Sequence, residues 1–265
     1  MNIFLRELKA NARSLIFWCL FIVFFIYMGI SKFTAFTSSG SDIMTMMDQI
    51  PPAVMEALQL NAFNLTTITG YYGVMQSYFL LMAAIFAVLL GSGIIAKEER
   101  EKTVEFSLTL PIPRHKLVTG KVLASVVNCV VFTLVMWGGS IVATQPFEPD
   151  GEFYDFLILL MISAFFIEMI FLAVGVLLGA AMKKYKRSGS VAVFVIFGTF
   201  IFSIIQALSE NLEFLKYFSP FVYFDPLPLL HESKFDPGYL ALSAGIVVVS
   251  LAAAYIAYGK RDLYI

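Results

Sequence analysis

FLILLMISAFFIEMIFLAVGVLLGAAM, residues Phe156–Met182, holds a single charged side chain, Glu168, within an otherwise uncharged and mostly apolar run. An α-helix rises about 1.5 Å per residue, so roughly 20 apolar residues cross about 30 Å of hydrocarbon. This run is long enough to cross, and in lipid its backbone groups must pair within the segment, so a helix is expected. Five other runs meet the same criterion with no charged residue inside them: about Ser14–Ser31, Tyr72–Ala96, Val122–Ala143, Ser190–Leu208 and Tyr239–Tyr258. Composition agrees, with 59% hydrophobic and only 14% charged residues, against about 45–50% and 25% in soluble domains. Mean hydropathy is +0.83. The fold class is therefore an all-α integral membrane protein with six transmembrane helices, read as one transmembrane domain over residues 1–265.

The basic residues orient the bundle. Arg6, Lys9 and Arg13 precede the first span, and Lys97, Arg100, Lys102, Arg114, Lys116 and Lys121 lie between the second and third. Lys183, Lys184, Lys186 and Arg187 separate the fourth from the fifth, and Lys260 and Arg261 follow the sixth. The opposite side carries only Lys32, Lys216 and Lys234 of the 18 Lys and Arg. Positive residues are retained in the cytoplasm, so both termini are expected there, in a bacterial cytoplasmic membrane. The first span has about 17 apolar residues, rich in phenylalanine, and no small-x-small cleavage site, so it is expected to remain uncleaved. Cys19 and Cys129 both fall in apolar runs and read as filler rather than a disulfide framework.

Three connections offer function. Residues 1–13 place Ile3, Phe4 and Leu8 among Arg6, Glu7, Lys9 and Arg13, a pattern that suits an interfacial helix or a plain basic flank. The 97–121 connection reads KEEREKTVEFSLTLPIPRHKLVTGK. Its acidic and basic residues alternate before Val104, Phe106, Leu108 and Leu110, and Pro111 and Pro113 then stop the helix. A short charged helix hung beneath two long spans suits docking by a soluble partner; a solvated loop is the plainer alternative. The 209–238 connection has seven aromatic residues and four prolines. Interfacial or re-entrant helices closing the outer mouth are expected, with Phe218, Phe221, Tyr223 and Phe224 as an outer gate, unless the rings form only an aromatic belt.

Within the spans, Glu168 must face protein or a water-filled cavity. It suits a substrate or proton-relay site, and equally a hydrogen-bonded helix contact. Ala83, Ala87 and Gly91, and Gly175 and Gly179, recur at spacing four and permit close helix approach, within one chain or between two. Catalytic patterns are thin. His115 and His231 are the only histidines, and no zinc-protease pairing forms. Glu98-Glu99 has no histidine in any span to complete an intramembrane protease. In Gly91–Lys97 (GSGIIAK), Ala96 stands where a phosphate-binding loop needs its second glycine, and Glu98 where it needs Ser or Thr. This chain is therefore expected to bind no nucleotide, metal or nucleic acid, and not to be an enzyme.

Taken together, the basic tail, six spans, long inner second connection and aromatic loop before the last span resemble the ABC-2 type permeases. These are membrane subunits of bacterial ABC exporters related to the type V exporter fold. Locally, Glu98 to Glu101, Thr103, Val104 to Leu110, Pro111 to Arg114 and Gly120-Lys121 are similar to that family's second connection, and YFSPFVYFDP (Tyr217 to Pro226) to a segment common in it. The resemblance implies that Lys97 to Leu110 is a coupling helix, with Glu98, Glu99, Glu101, Lys102, Thr103, Glu105 and Phe106 contacting an ATPase subunit that carries ATP and Mg. It also implies two ATPases beneath two permeases, the second being a copy or a paralogue, with a path at the interface between the two permeases, lined largely by the second and fifth spans. An apolar or amphipathic cargo follows from the scarcity of fixed charge in the spans. Alternative readings are a secondary transporter or channel, or a peptide-sensing scaffold, each using Glu168.

Overall fold

The computed structural model describes residues 3–34, 55, 63–100, 113–182, 185–208 and 210–260. Its long helices are α1 (Ile3–Ser31), α2 (Ile68–Arg100), α3 (Arg114–Thr144), α4 (Gly151–Ala181) and α5 (Tyr185–Leu208). A 3-10 segment (Glu210–Phe218), α6 (Pro220–Tyr223) and α7 (Pro226–Glu232) then lead to α8 (Pro237–Lys260). No strand occurs among the described residues. Six helices are long and apolar enough to cross a membrane. Six crossings put the start of α1 and the end of α8 on one side, here termed the terminal side, and the 210–232 segment on the far side.

Helix ends run past the apolar limits read from sequence. The first span and the segment before it form one continuous helix from Ile3, with no break between residues 13 and 14. α3 starts at Arg114, where Pro113 in extended backbone forms the N-cap, rather than at Val122. These extra turns are held by polar contacts. Arg114 Nη1 donates to the carbonyls of Tyr258 and Gly259 at 3.4 and 3.3 Å, closing the exposed end of α8. Thr119 and Tyr255 hydroxyls meet at 2.7 Å. Buried Lys121 donates from Nζ to the Ile94 carbonyl at 2.9 Å, so its aliphatic stem packs while the ammonium is satisfied. At the start of α4, Asp150 accepts from the Phe153 amide at 2.9 Å, filling one of the unpaired donors of a helix start.

The bundle is built around α2 and α4, whose apolar windows are 67% and 61% buried, against 17%, 11% and 17% for α1, α5 and α8. Their close approach is backbone on backbone. A Cβ on Gly91 would lie 2.4 Å from the Leu172 carbonyl oxygen, and one on Gly175 would lie 2.4 Å from that of Val88. On Gly179 it would meet the Ser92 carbonyl at 2.8 Å. The small residues at spacing four thus form a contact within one chain, flanked by fully buried Ala83 and Ala87. Polar side chains on the far-side half of α2 tie α1, α3 and α4 to it. Tyr71 donates to the Gly29 carbonyl of α1 at 2.8 Å, Tyr72 pairs with Ser140 of α3 at 2.6 Å, and Gln76 donates to the Leu160 carbonyl of α4 at 3.1 Å. A hydrogen bond formed inside lipid spares each group the cost of burial without a partner.

Candidate functional site

α2 joins the two regions that the sequence marked for function. At its terminal end Lys97–Arg100 continues the helix without a break, so Glu98 and Glu99 lie in its last turn. Glu101, Lys102, Thr103, Glu105 and Phe106 lie outside the described residues. The run Gly91–Lys97 is helix interior. Its backbone amides are used inside the helix rather than turned outward to cradle a phosphate.

At the far end, α2, α5 and the 210–232 segment enclose a cavity of about 120 Å³. Ser77 and Tyr78 of α2, Ser203 and Gln206 of α5, Phe221 of α6 and Asp225 line it. Hydrogen-bonding groups on an apolar wall can orient an amphipathic molecule without trapping it by charge. The sequence reading singled out none of Ser77, Ser203 and Gln206. The available signal was polar residues recurring near the far-side ends of two apolar runs. Asp225 does double duty, capping α7 by accepting from the Leu227 amide at 2.9 Å.

Three of the four aromatic residues expected at the outer gate are buried, against different helices, and one is exposed. Phe224 stacks on Phe166 at 5.4 Å, with planes 3° apart, and meets Phe235 edge-on at 6.1 Å. Phe221 fits between Phe171 and Phe200, at 5.5 and 5.3 Å. Tyr223 stacks on Tyr239 at 5.0 Å, and its hydroxyl donates to the Tyr217 carbonyl. Burial pushes the Tyr223 phenol up to about 12, so it remains a protonated donor at neutral pH. Phe218 instead ends the 3-10 segment before Pro220 turns the chain, and it is 62% exposed. Phe224→Ala should therefore cost about 3–5 kcal/mol, while Phe218→Ala should stay within about 0.5 kcal/mol. Thermal unfolding of the two variants in detergent checks the difference.

Glu168 is fully buried between α3 and α4. Thr133 donates from Oγ1 to Glu168 Oε1 at 3.1 Å, Cys129 lies beside it, and Oε2 has no hydrogen-bond partner. It lines neither the α2–α5 cavity nor the groove on the outer face of α3 and α4. Thr133 stands between it and an apolar groove of about 410 Å³ on the outer face of α3 and α4.

A continuous 33-residue helix, a cavity with hydrogen-bonding groups on an apolar wall at its far end, and buried aromatic rings in the segment beside it make up the site. The model of the ABC-2 family transporter proteins matches residues 1–263. The chain belongs to the ABC-2 transporter family. No match to it is found among curated protein sequences. As an ABC-2 family member it is the permease subunit of an ABC transporter, a multi-pass membrane protein that associates with an ABC ATPase. ABC-2 permeases are membrane subunits that generally lack an ATPase site of their own. In this ABC-2 permease the cavity lies between α2 and α5 of one chain, the two spans that the resemblance placed at an interface between two permeases.

Proposed function

We propose that this permease drives export of an amphipathic cargo, most simply a peptide of the toxin or antimicrobial kind, along the α2–α5 face. One observation carries the reading. The same 33-residue helix that lines the far-side cavity delivers Lys97–Arg100 to the terminal side. Its length of about 50 Å at 1.5 Å per residue makes it a rigid link between a motor and a binding site. In this reading the terminal side is cytoplasmic and Lys97 to Leu110 docks on the ATPase. ATP and Mg bind there, on the partner, and closure of two ATPases displaces α2 in each of two permease chains. The second chain, a copy or a paralogue, pairs through α5, whose Phe194 is 78% exposed. The cargo is bound by shape and hydrogen bonds, with Asp225 as the one carboxylate and no cation among the described residues lining the cavity.

Copurification of the ATPase with the full-length chain tests the docking. Changes at Glu101, Thr103 or Phe106 should each reduce recovery of the ATPase, and deletion of Lys97 to Leu110 should abolish it. An intact complex after that deletion, or labelling of Lys102 from outside intact cells, overturns the reading. The secondary-transport alternative predicts proton-coupled uptake by the purified chain alone that is lost in Glu168→Gln.

A further inference from the structure

A second cavity, of about 440 Å³, lies between α1 and α2 on the terminal side, away from the α2–α5 face. Asn11, Ser14 and Trp18 of α1 face Phe86, Gly93 and Lys97 of α2 across it. The helices run antiparallel here. Lys97 sits at one end, 3.5 Å from Glu7, and Trp18 meets Phe86 at the other, 5.9 Å between ring centroids. Eleven residues of α2 separate Phe86 from Lys97, a depth of about 16 Å. The slot is thus cationic and polar at its mouth and aromatic at its floor, so it suits a molecule with a charged head and an apolar body.

One detail at the mouth calls for an acceptor. Lys97 meets only the edge of Glu7. The pair is 3.5 Å apart and Glu7 Oε2 accepts no hydrogen bond, so the three ammonium donors retain capacity. Arg6 takes the other oxygen of Glu7 at 2.9 Å, which offsets its negative charge at this spot. Midway along the slot, a Cβ built on Gly93 meets nothing within 4 Å, so the space continues over the glycine. We infer that this slot binds an anionic phospholipid from the leaflet on the terminal side, its phosphate on Lys97 and its glycerol and upper acyl chain over Gly93 toward Trp18. Basic sites between transmembrane helices at headgroup depth recognise lipid phosphates by this chemistry.

Trp18 reports on its own slot. The chain has two tryptophans, so Trp137→Phe leaves a single fluorophore. The full-length Trp137→Phe protein is placed in phosphatidylcholine vesicles with increasing fractions of phosphatidylglycerol brominated on its acyl chains, and in parallel with brominated phosphatidylcholine. Half-maximal quenching of Trp18 is expected at about fivefold less brominated phosphatidylglycerol, the effect of about 1 kcal/mol for one lysine at an anionic headgroup. Lys97→Gln should erase the preference, Lys97→Arg should keep it, and Gly93→Leu should reduce quenching by both lipids. The reciprocal Trp18→Phe protein, read at Trp137, should show no preference. Equal quenching by the two lipids in the Trp137→Phe protein overturns the proposal, as does quenching by both lipids left undiminished by Gly93→Leu. Relief of quenching by millimolar inorganic phosphate overturns the lipid as source and assigns the mouth to free phosphate.

Discussion

Gly175→Leu should abolish recovery of a monodisperse folded protein, with Gly91→Leu doing the same from the opposite helix. In both positions the obstacle is a carbonyl oxygen 2.4 Å from where the Cβ would stand. Side chains can rotate away, but this oxygen belongs to a hydrogen-bonded helix and moves only with the whole element. Ordinary contact begins near 3.4 Å, so α2 and α4 would have to separate by about 1 Å along their most intimate seam. Overpacking a well-packed core costs about 1–3 kcal/mol for far smaller insults, and membrane helices associate largely through such close packing. Gly175→Ala already carries the offending atom and should lower the unfolding temperature measurably. The control is Gly245→Leu in α8, where a Cβ meets nothing within 4 Å and size-exclusion profiles should not change. A normal profile and melting temperature for Gly175→Leu would show that the α2–α4 seam is not as described.

Ala207→Trp should lower export on the order of tenfold, the equivalent of about 1.4 kcal/mol, while leaving the fold and ATPase association intact. Ala207 lines the α2–α5 cavity of about 120 Å³, and an indole fills most of a space of that size. The separation of effects follows from distance along α2. Ser77 at the cavity and Lys97 at the terminal end are twenty residues apart, about 30 Å, too far for a filled cavity to disturb docking directly. Ser203→Trp should act likewise, since the Ser203 hydroxyl only returns to the Phe200 carbonyl of its own helix, at 2.6 Å. Cargo export from vesicles carrying the reconstituted permease and its ATPase is the measurement, with copurified ATPase as the internal control. Unchanged export in a folded Ala207→Trp protein moves the path off the α2–α5 face.

The two predictions also divide what was legible beforehand from what was not. The recurrence of Gly175 and Gly179, and of Ala83, Ala87 and Gly91, marked close approach, yet spacing on one helix does not name the partner; only the position of the Leu172 and Val88 carbonyls does. The aromatic richness of 209–238 announced a cap. Which rings enter it depended on Pro220 and the end of the 3-10 segment, and these turn Phe221, Tyr223 and Phe224 inward and leave Phe218 outside. Glu168 was conspicuous as the one charge in a span, but its setting between Thr133 and Cys129 is a property of α3 meeting α4.

By itself the amino-acid order determined that six helices cross a membrane and which connections share a side. Hydrocarbon imposes a minimum apolar length, and charge is unevenly retained across the bilayer. Only the tertiary structure decided that α2 and α4 form the centre and α5 the periphery, and that cavities open between α2 and α5 and between α1 and α2. In water, a helix shows its buried face by a contrast of apolar and polar residues. In lipid both the packed and the exposed face are apolar, so the contrast vanishes and only shape, through glycine backbones and buried hydrogen bonds, tells the helices where to meet.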